Sequence, residues 1–342
     1  MRTAAGRALI PHSRPWITDA DRDAVRQALD SVMIAEGELT RKLEAEAAAY
    51  LGQAGGVATP DGTTALYLAL RGLNIGTSDE VVIPTYVCEA VAQAVRWTGA
   101  TPVLCDIGDD WCVNAETVRR VMTSRTRAVV VVHTFGVVAD TKPIVALGVP
   151  VIEDLAQAFG ASSPRGRAAS FGILSITSFH ATKCLTTGEG GMVFAREEQL
   201  VERLREIKRS AHRMPLSNLQ ASLGLSQLGR YGEFLARRRQ IADRYREAIP
   251  DRYLPPASVL DRSMHFRFPL KVDRDVTETM TSFAAHGVLA KRGVDALLHS
   301  EAGSFPAAET AFEHTVSLPI HPSMSSEEVG RVIESYHEVL GA

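Results

Sequence analysis

Two residues able to act on a carbonyl compound share the stretch Val151 to Phe194: one acid, Asp154, and one lysine, Lys183. Asp154 closes an apolar run (Gly148, Val149, Val151, Ile152) that reads as a short buried strand. Its carboxylate then stands at a strand's C-terminal end, where open α/β sheets place their ligand sites. Lys183 follows a second apolar-rich run, residues 172–179, and precedes Thr186-Thr187-Gly188-Glu189-Gly190-Gly191, which is too glycine-rich to continue a helix or strand and reads as a turn. A lysine held between a strand and a glycine turn can keep its amine away from bulk water. That lowers its pKa and makes it a nucleophile towards carbonyls, as a Schiff-base lysine requires. Each residue alone has an ordinary explanation, since most Asp and Lys are solvated and an Asp after a strand is more often a helix N-cap.

Together they are more specific. Glu153-Asp154-x-Ala156-Gln157, followed by Ser178-Phe179-His180-x-Thr182-Lys183-x-Leu185-Thr186-Thr187-Gly188-Glu189-Gly190-Gly191, resembles the signature of the DegT/DnrJ/EryC1/StrS aminotransferases. These are fold-type-I pyridoxal 5'-phosphate (PLP) enzymes that mostly act on nucleotide-linked keto-sugars or aminocyclitols. The resemblance runs from near Ser13 to the C-terminus. It implies an α/β fold: an N-terminal arm and large PLP-binding domain with a mostly parallel central sheet (residues 1–235), and a smaller C-terminal α/β domain (236–342). It also implies a homodimer with shared active sites. Lys183 then carries PLP, and Asp154 faces the pyridine nitrogen and keeps it protonated, so that the ring accepts the electrons released when a Cα proton leaves. Gln157 sits beside the ring's phenolic oxygen, Ser178 adds a hydroxyl to the phosphate cup, and the freed amine of Lys183 moves the proton as general base and acid. The amino donor is L-glutamate by family habit, the acceptor a keto-sugar or keto-cyclitol, and the kinetics ping-pong. No metal is implied.

These groups need elements to position them. A helix is expected from Thr18 or Asp19, with acids in its first turn, and a second over RKLEAEAAAYLG, ending at Gly52. Gly62, Thr63 and Thr64 open a helix whose free backbone N–H groups suit a phosphate, although a plain N-terminal cap explains the same residues. The family pattern puts the PLP phosphate here. Strands are expected at 80–86, 101–107, 127–135 and 149–154, alternating with helical stretches such as 89–97 and 114–122, which argues a parallel sheet covered on both faces. Where relatives stack an aromatic ring on the cofactor this chain has Cys88, with Tyr86 two residues away. Either Tyr86 supplies the ring or the thiol packs against the pyridine face. His133 resembles a family motif beside the cofactor, and a satisfied core histidine would look the same.

Further along, a charged amphipathic helix follows Ala195, and residues 213–228 resemble the segment that crosses to the partner subunit. Arg213 stands where relatives place an asparagine near the other subunit's phosphate. It could hold that phosphate or be a surface arginine. Asn218, where relatives usually carry an acid, is a second departure. A helix over 229–249 leads to the smaller domain, with a strand at 266–272 and helices at 277–287 and 326–340, the last capped by Ser325. Lys291 and Arg292 resemble a segment that approaches substrate, and ordinary surface cations explain them as well.

The whole chain agrees with an enzyme of this kind. Its 342 residues can bury a sizeable core, 45% are hydrophobic and 23% charged, and a net charge of −3 gives no electrostatic case for nucleic acid or an anionic membrane. Four cysteines without a C-x-x-C pair indicate a reducing cytosol, and no apolar run approaches the length of a membrane span. No G-x-G-x-x-G follows the first strand, so a nicotinamide reading lacks its phosphate loop. Same-family chemistry other than transamination and a non-catalytic PLP-binding regulator are the competing readings. Lys183 opposes the dehydratase branch, which replaces this lysine by histidine.

Overall fold

The computed structural model describes residues 8–164, 166–211 and 214–341. Its strands are β1 Gly55–Thr59, β2 Glu80–Pro84, β3 Thr101–Cys105, β4 Thr126–Val132, β5 Val151–Asp154, β6 Ser162–Ser163, β7 Gly166–Arg167, β8 Leu174–Ser178, β9 Gly191–Ala195, β10 Phe268–Lys271, β11 Lys291–Arg292 and β12 Thr315–Leu318. Seven form one sheet in the order β1-β9-β8-β5-β4-β2-β3. β9 pairs antiparallel with both neighbours, and the other pairings are parallel. The sheet is thus mostly parallel, buried on both faces by helices, and its central strands are correspondingly apolar throughout (Ala128, Val129, Val130, Val131). A second, antiparallel sheet of β10-β12-β11 lies in the C-terminal part.

Local chemistry sets the element ends. The first helix, Asp19–Asp30, starts in a capping box in which Asp21 Oδ2 accepts from the Thr18 N–H at 2.8 Å. The second, Glu38–Leu51, stops at Gly52 in the left-handed conformation (φ 71°). Ser325 caps the last helix, Ser326–Leu340, reciprocally with Glu328. Among the elements outside the expected ones are β1 and the helix Pro306–His314. β1 begins with two glycines, which weaken a strand signal. The helix Pro306–His314 begins with a proline, which looks like a break but is tolerated in a helix's first turn.

The helix Tyr231–Ala248 joins the two parts, with Phe234 packed among large-sheet helices and Ile241 and Tyr245 in the C-terminal core. Ile10 lies in that same C-terminal core and bridges to Val288, and Arg14 pairs with Glu328 at 2.7 Å. The start of the arm is therefore fastened to the C-terminal sheet and not to the large one.

Candidate active site

The C-terminal ends of β5 and β8 and the start of the helix Gly62–Gly72 enclose a cavity of about 260 Å³. Asp154, Ala156, Ser178, Lys183, Cys88, Gly62 and Thr63 all border it. Parallel pairing of β5 with β8 aligns Asp154 with Ile176, so the acid and Ser178 end up at the same edge of the sheet. After Ser178 the chain turns back on itself: Lys183 N donates to His180 O at 2.8 Å, and Thr187 N donates to Phe179 O at 3.0 Å. Lys183 thereby projects from a closed loop, as the glycine turn required. Gly191 is obligatory there, because a Cβ would lie 2.2 Å from the Asp61 carbonyl oxygen.

One end of the cavity suits an anion. Asp61 caps the helix Gly62–Gly72 by accepting from Thr64 N at 2.7 Å, and the Thr64 hydroxyl donates to the same carboxylate at 3.1 Å. Thr64 is thus occupied as part of the cap and does not border the cavity. Among the described residues nothing engages the N–H groups of Gly62 or Thr63. They remain free at the positive end of the helix, beside the Ser178 hydroxyl, which accepts from His180 N at 3.3 Å and keeps its own proton available. A Cβ at Gly62 would stand 2.8 Å from that of Ser178 and close this cradle.

The other end holds Asp154. Its one hydrogen bond among the described residues is from Ala156 N at 2.8 Å, and burial raises its pKa against that bond and the nearby Lys183. Lys183 is half-buried between the two ends, and burial lowers its pKa, opposed by Cys88 and Asp154. An anion cradle, a lysine primed to act as a nucleophile and a buried carboxylate short of partners are the set PLP requires, so the residues fit that cofactor. Bound PLP would be held by Gly62, Thr63, Ser178, Lys183 and Asp154, and it would supply the electron sink for a carbanion at the substrate Cα.

The remaining expected residues divide. Cys88 borders the cavity, and desolvation of its thiol there, with Asp154 nearby, raises its pKa. Tyr86 does not border it: β2 ends at Pro84, and the Tyr86 ring is fully buried edge-on to Phe135, its hydroxyl unpaired beside Gly293. Of the two candidates for the ring face, Cys88 borders the cavity and Tyr86 does not. Gln157 also lies off the cavity wall, its carbonyl oxygen accepting from Phe135 N at 2.8 Å and steadying a phenylalanine at φ 57°. His133 is a core histidine: Nε2 donates to Glu153 at 3.0 Å and Nδ1 accepts from Ala139 N at 3.0 Å. Asn218 joins the arm to the helix Asn218–Gly229, accepting from Thr40 N at 3.2 Å and donating to Met33 O at 2.8 Å. Arg292 packs 4.2 Å from the Phe312 ring centroid and donates to Phe312 O, Lys291 is exposed, and neither borders the cavity. Arg213 lies outside the described residues.

Sequence reasoning missed Phe266 and Arg267. The Phe266 ring sits 5.5 Å from Lys183 Nζ, and Arg267 is close enough to act on the lysine's charge. Residues so remote along the chain left no local signal.

The chain has relatives among known aminotransferases. Residues 15–337 match the model of the DegT/DnrJ/EryC1/StrS aminotransferase family. The chain is 30% identical to the GDP-perosamine synthase of Escherichia coli O157:H7, over 96% of this chain and 98% of the relative. It superposes on the aminotransferase TlmJ from Streptoalloteichus hindustanus with a TM-score of 0.90 at 31% identity, covering 97% and 99% of the two chains. The PLP form of Spr1654, a putative sugar aminotransferase from Streptococcus pneumoniae, gives 0.90 at 26% identity, covering 97% and 98%. The chain belongs to the DegT/DnrJ/EryC1/StrS aminotransferase family and is a PLP-dependent aminotransferase.

Proposed function

We propose that this aminotransferase moves the amino group of L-glutamate to a keto-sugar, nucleotide-linked or free, or to a keto-cyclitol, in two alternating half-reactions. The observation that carries the reading is the placement of Lys183 between Asp154 and the free N–H groups of Gly62 and Thr63 in one cavity. A sugar acceptor is supported by the relatives, among them a GDP-perosamine synthase. Lys183 Nζ takes the proton from the donor Cα, and the same amine returns a proton to the acceptor carbon in the second half-reaction. Asp154 keeps a positive charge opposite its carboxylate, and Cys88 occupies the ring face.

We also propose a homodimer, with residues 1–235 and 236–342 as its two domains and active sites shared between subunits. In support, the loop after the first helix exposes Val32 at 80% and Met33 at 70%, with Ile34 beside them, along a cavity of about 900 Å³, and Leu29 at the end of that helix is exposed as well. Large apolar patches of this kind usually meet a partner. Four unpaired cysteines favour the cytoplasm as its compartment.

The test is product formation. Incubation with L-glutamate and a panel of nucleotide-linked keto-sugars and keto-cyclitols should release 2-oxoglutarate with at least one acceptor. Light scattering should return twice the chain mass. No 2-oxoglutarate with any acceptor, or a monomer at micromolar concentration, would overturn the respective statement.

A further inference from the structure

Phe266 collects three cations around its ring: Lys183 Nζ at 5.5 Å from the centroid, Arg267 Cζ at 5.9 Å and Arg238 Cζ at 6.0 Å. Arg238 has a structural task. It is buried and donates to the carbonyls of His265, Phe266 and Ile320, which ties the helix Tyr231–Ala248 to the C-terminal part. Arg267 is different. Its Nη1 donates to Arg292 O at 2.7 Å and to Gly293 O at 3.0 Å, which locks the guanidinium to the end of β11. Its Nε is buried with no partner among the described residues. An arginine does not surrender its proton, so its fixed charge disfavours a second positive charge nearby.

Lys183 is that second cation. The other groups facing Nζ are Cys88 from the start of its helix, Asp154 from the end of β5, and Cys184. The His180–Glu189 pair, 3.5 Å apart, borders the same cavity. Desolvation raises the pKa of both thiols, Cys184 being buried and Cys88 standing at the exposed side of the cavity, and Asp154 is the carboxylate among the groups acting on the amine. Burial outweighs Cys88 and Asp154, and Arg267 adds to burial in the same direction. A desolvated lysine beside a fixed cation is a recognised way of making an amine nucleophilic.

We propose that Arg267 is a positioning residue for transamination, its guanidinium locked to the Arg292 and Gly293 backbone beside the Phe266 ring that Lys183 also approaches, so that a positive charge on the Lys183 amine is disfavoured. The proposal rests on the assignment of Lys183 made above. The charge that tunes the lysine then comes from the C-terminal sheet, which places the two parts of the chain in one electrostatic unit.

The test reads the lysine directly. Full-length protein, stripped of cofactor and checked for an unchanged melting temperature, is labelled with an amine-reactive reagent across a pH series. Lys183 is compared by peptide mass spectrometry with Lys42, an exposed lysine at 60%. In the wild type Lys183 should react with a midpoint below that of Lys42. Arg267→Gln should raise the Lys183 midpoint by about one unit, roughly a tenfold loss of reactive amine at a fixed lower pH, and Arg267→Lys should restore most of it. The visible band of bound PLP should titrate in parallel. A Lys183 midpoint unmoved in Arg267→Gln overturns the proposal. So does a wild-type Lys183 that titrates with Lys42, a result that needs no variant to fold. Absence of turnover with Lys183 still titrating low counts against the proposed function alone.

Discussion

Glu153 and Asp154 are consecutive carboxylates on β5, and the pleat sends them to opposite faces of the sheet. Glu153 is saturated: it accepts from His133 Nε2 and from the N–H groups of Ala169, Phe171 and Gly172. Burial pushes its pKa up, yet these donors, His133 first, bring it below the ordinary value. Asp154 accepts one N–H, from Ala156, and burial leaves its pKa raised. The same strand thus carries a carboxylate whose partners are all internal and one that waits for a partner from outside. A buried group's share of internal hydrogen bonds, more than its burial, separates scaffold from chemistry here.

The largest effect that sharpens this contrast is at the lysine. Lys183→Ala should lower transamination by at least about 1,000-fold with the fold intact, measured as 2-oxoglutarate release, and full turnover would sink the assignment. Asp154→Asn should cost at least about 100-fold in kcat with little change in melting temperature, because the substitution removes a desolvated charge that has few partners. Glu153→Gln should do the reverse, losing about 2–4 kcal/mol of stability in denaturant titration while folded protein keeps most of its turnover. Equal stability losses in the two variants would break the comparison. Gly62→Ala, which crowds Ser178, should weaken PLP binding by about tenfold with a smaller effect on kcat once the site is saturated, read by fluorescence titration.

The smallest effect is a pH dependence of stability. His265 and His321 are buried in the C-terminal part with pKa values lowered by burial to about 4. Between roughly pH 6.5 and 4 the unfolded chain takes up these protons and the native state does not, so stability is lost as pH falls through that window. The melting temperature should decline steadily from pH 7 to 4. A flat profile would contradict the neutral, buried state of both rings.

Much of this site was legible in the sequence because its parts are local. Asp154 and Lys183 each follow an apolar run, and Ser178 and the glycine turn flank the lysine, so one contiguous stretch specifies the loop. Thr64 was legible as part of a helix start, but its cap bond to Asp61 depends on rotamers that the sequence does not show. Tyr86 and Cys88 could not be told apart, since strand alternation stops at Pro84 and no longer says which face a residue takes. Gln157 and His133 matched a pattern, whereas their partners Phe135, Glu153 and Ala139 become visible only when β4 and β5 are paired. Arg267 and Phe266 reach the lysine from the segment just before β10, across a separation along the chain that periodicity cannot bridge.

The most direct test of the central claim is to reduce the PLP-loaded protein with borohydride, digest it and map the phosphopyridoxyl group by mass spectrometry. The account expects one modified residue per chain, Lys183. Modification at any other lysine, or a loaded protein in which Lys183 stays free, would contradict it.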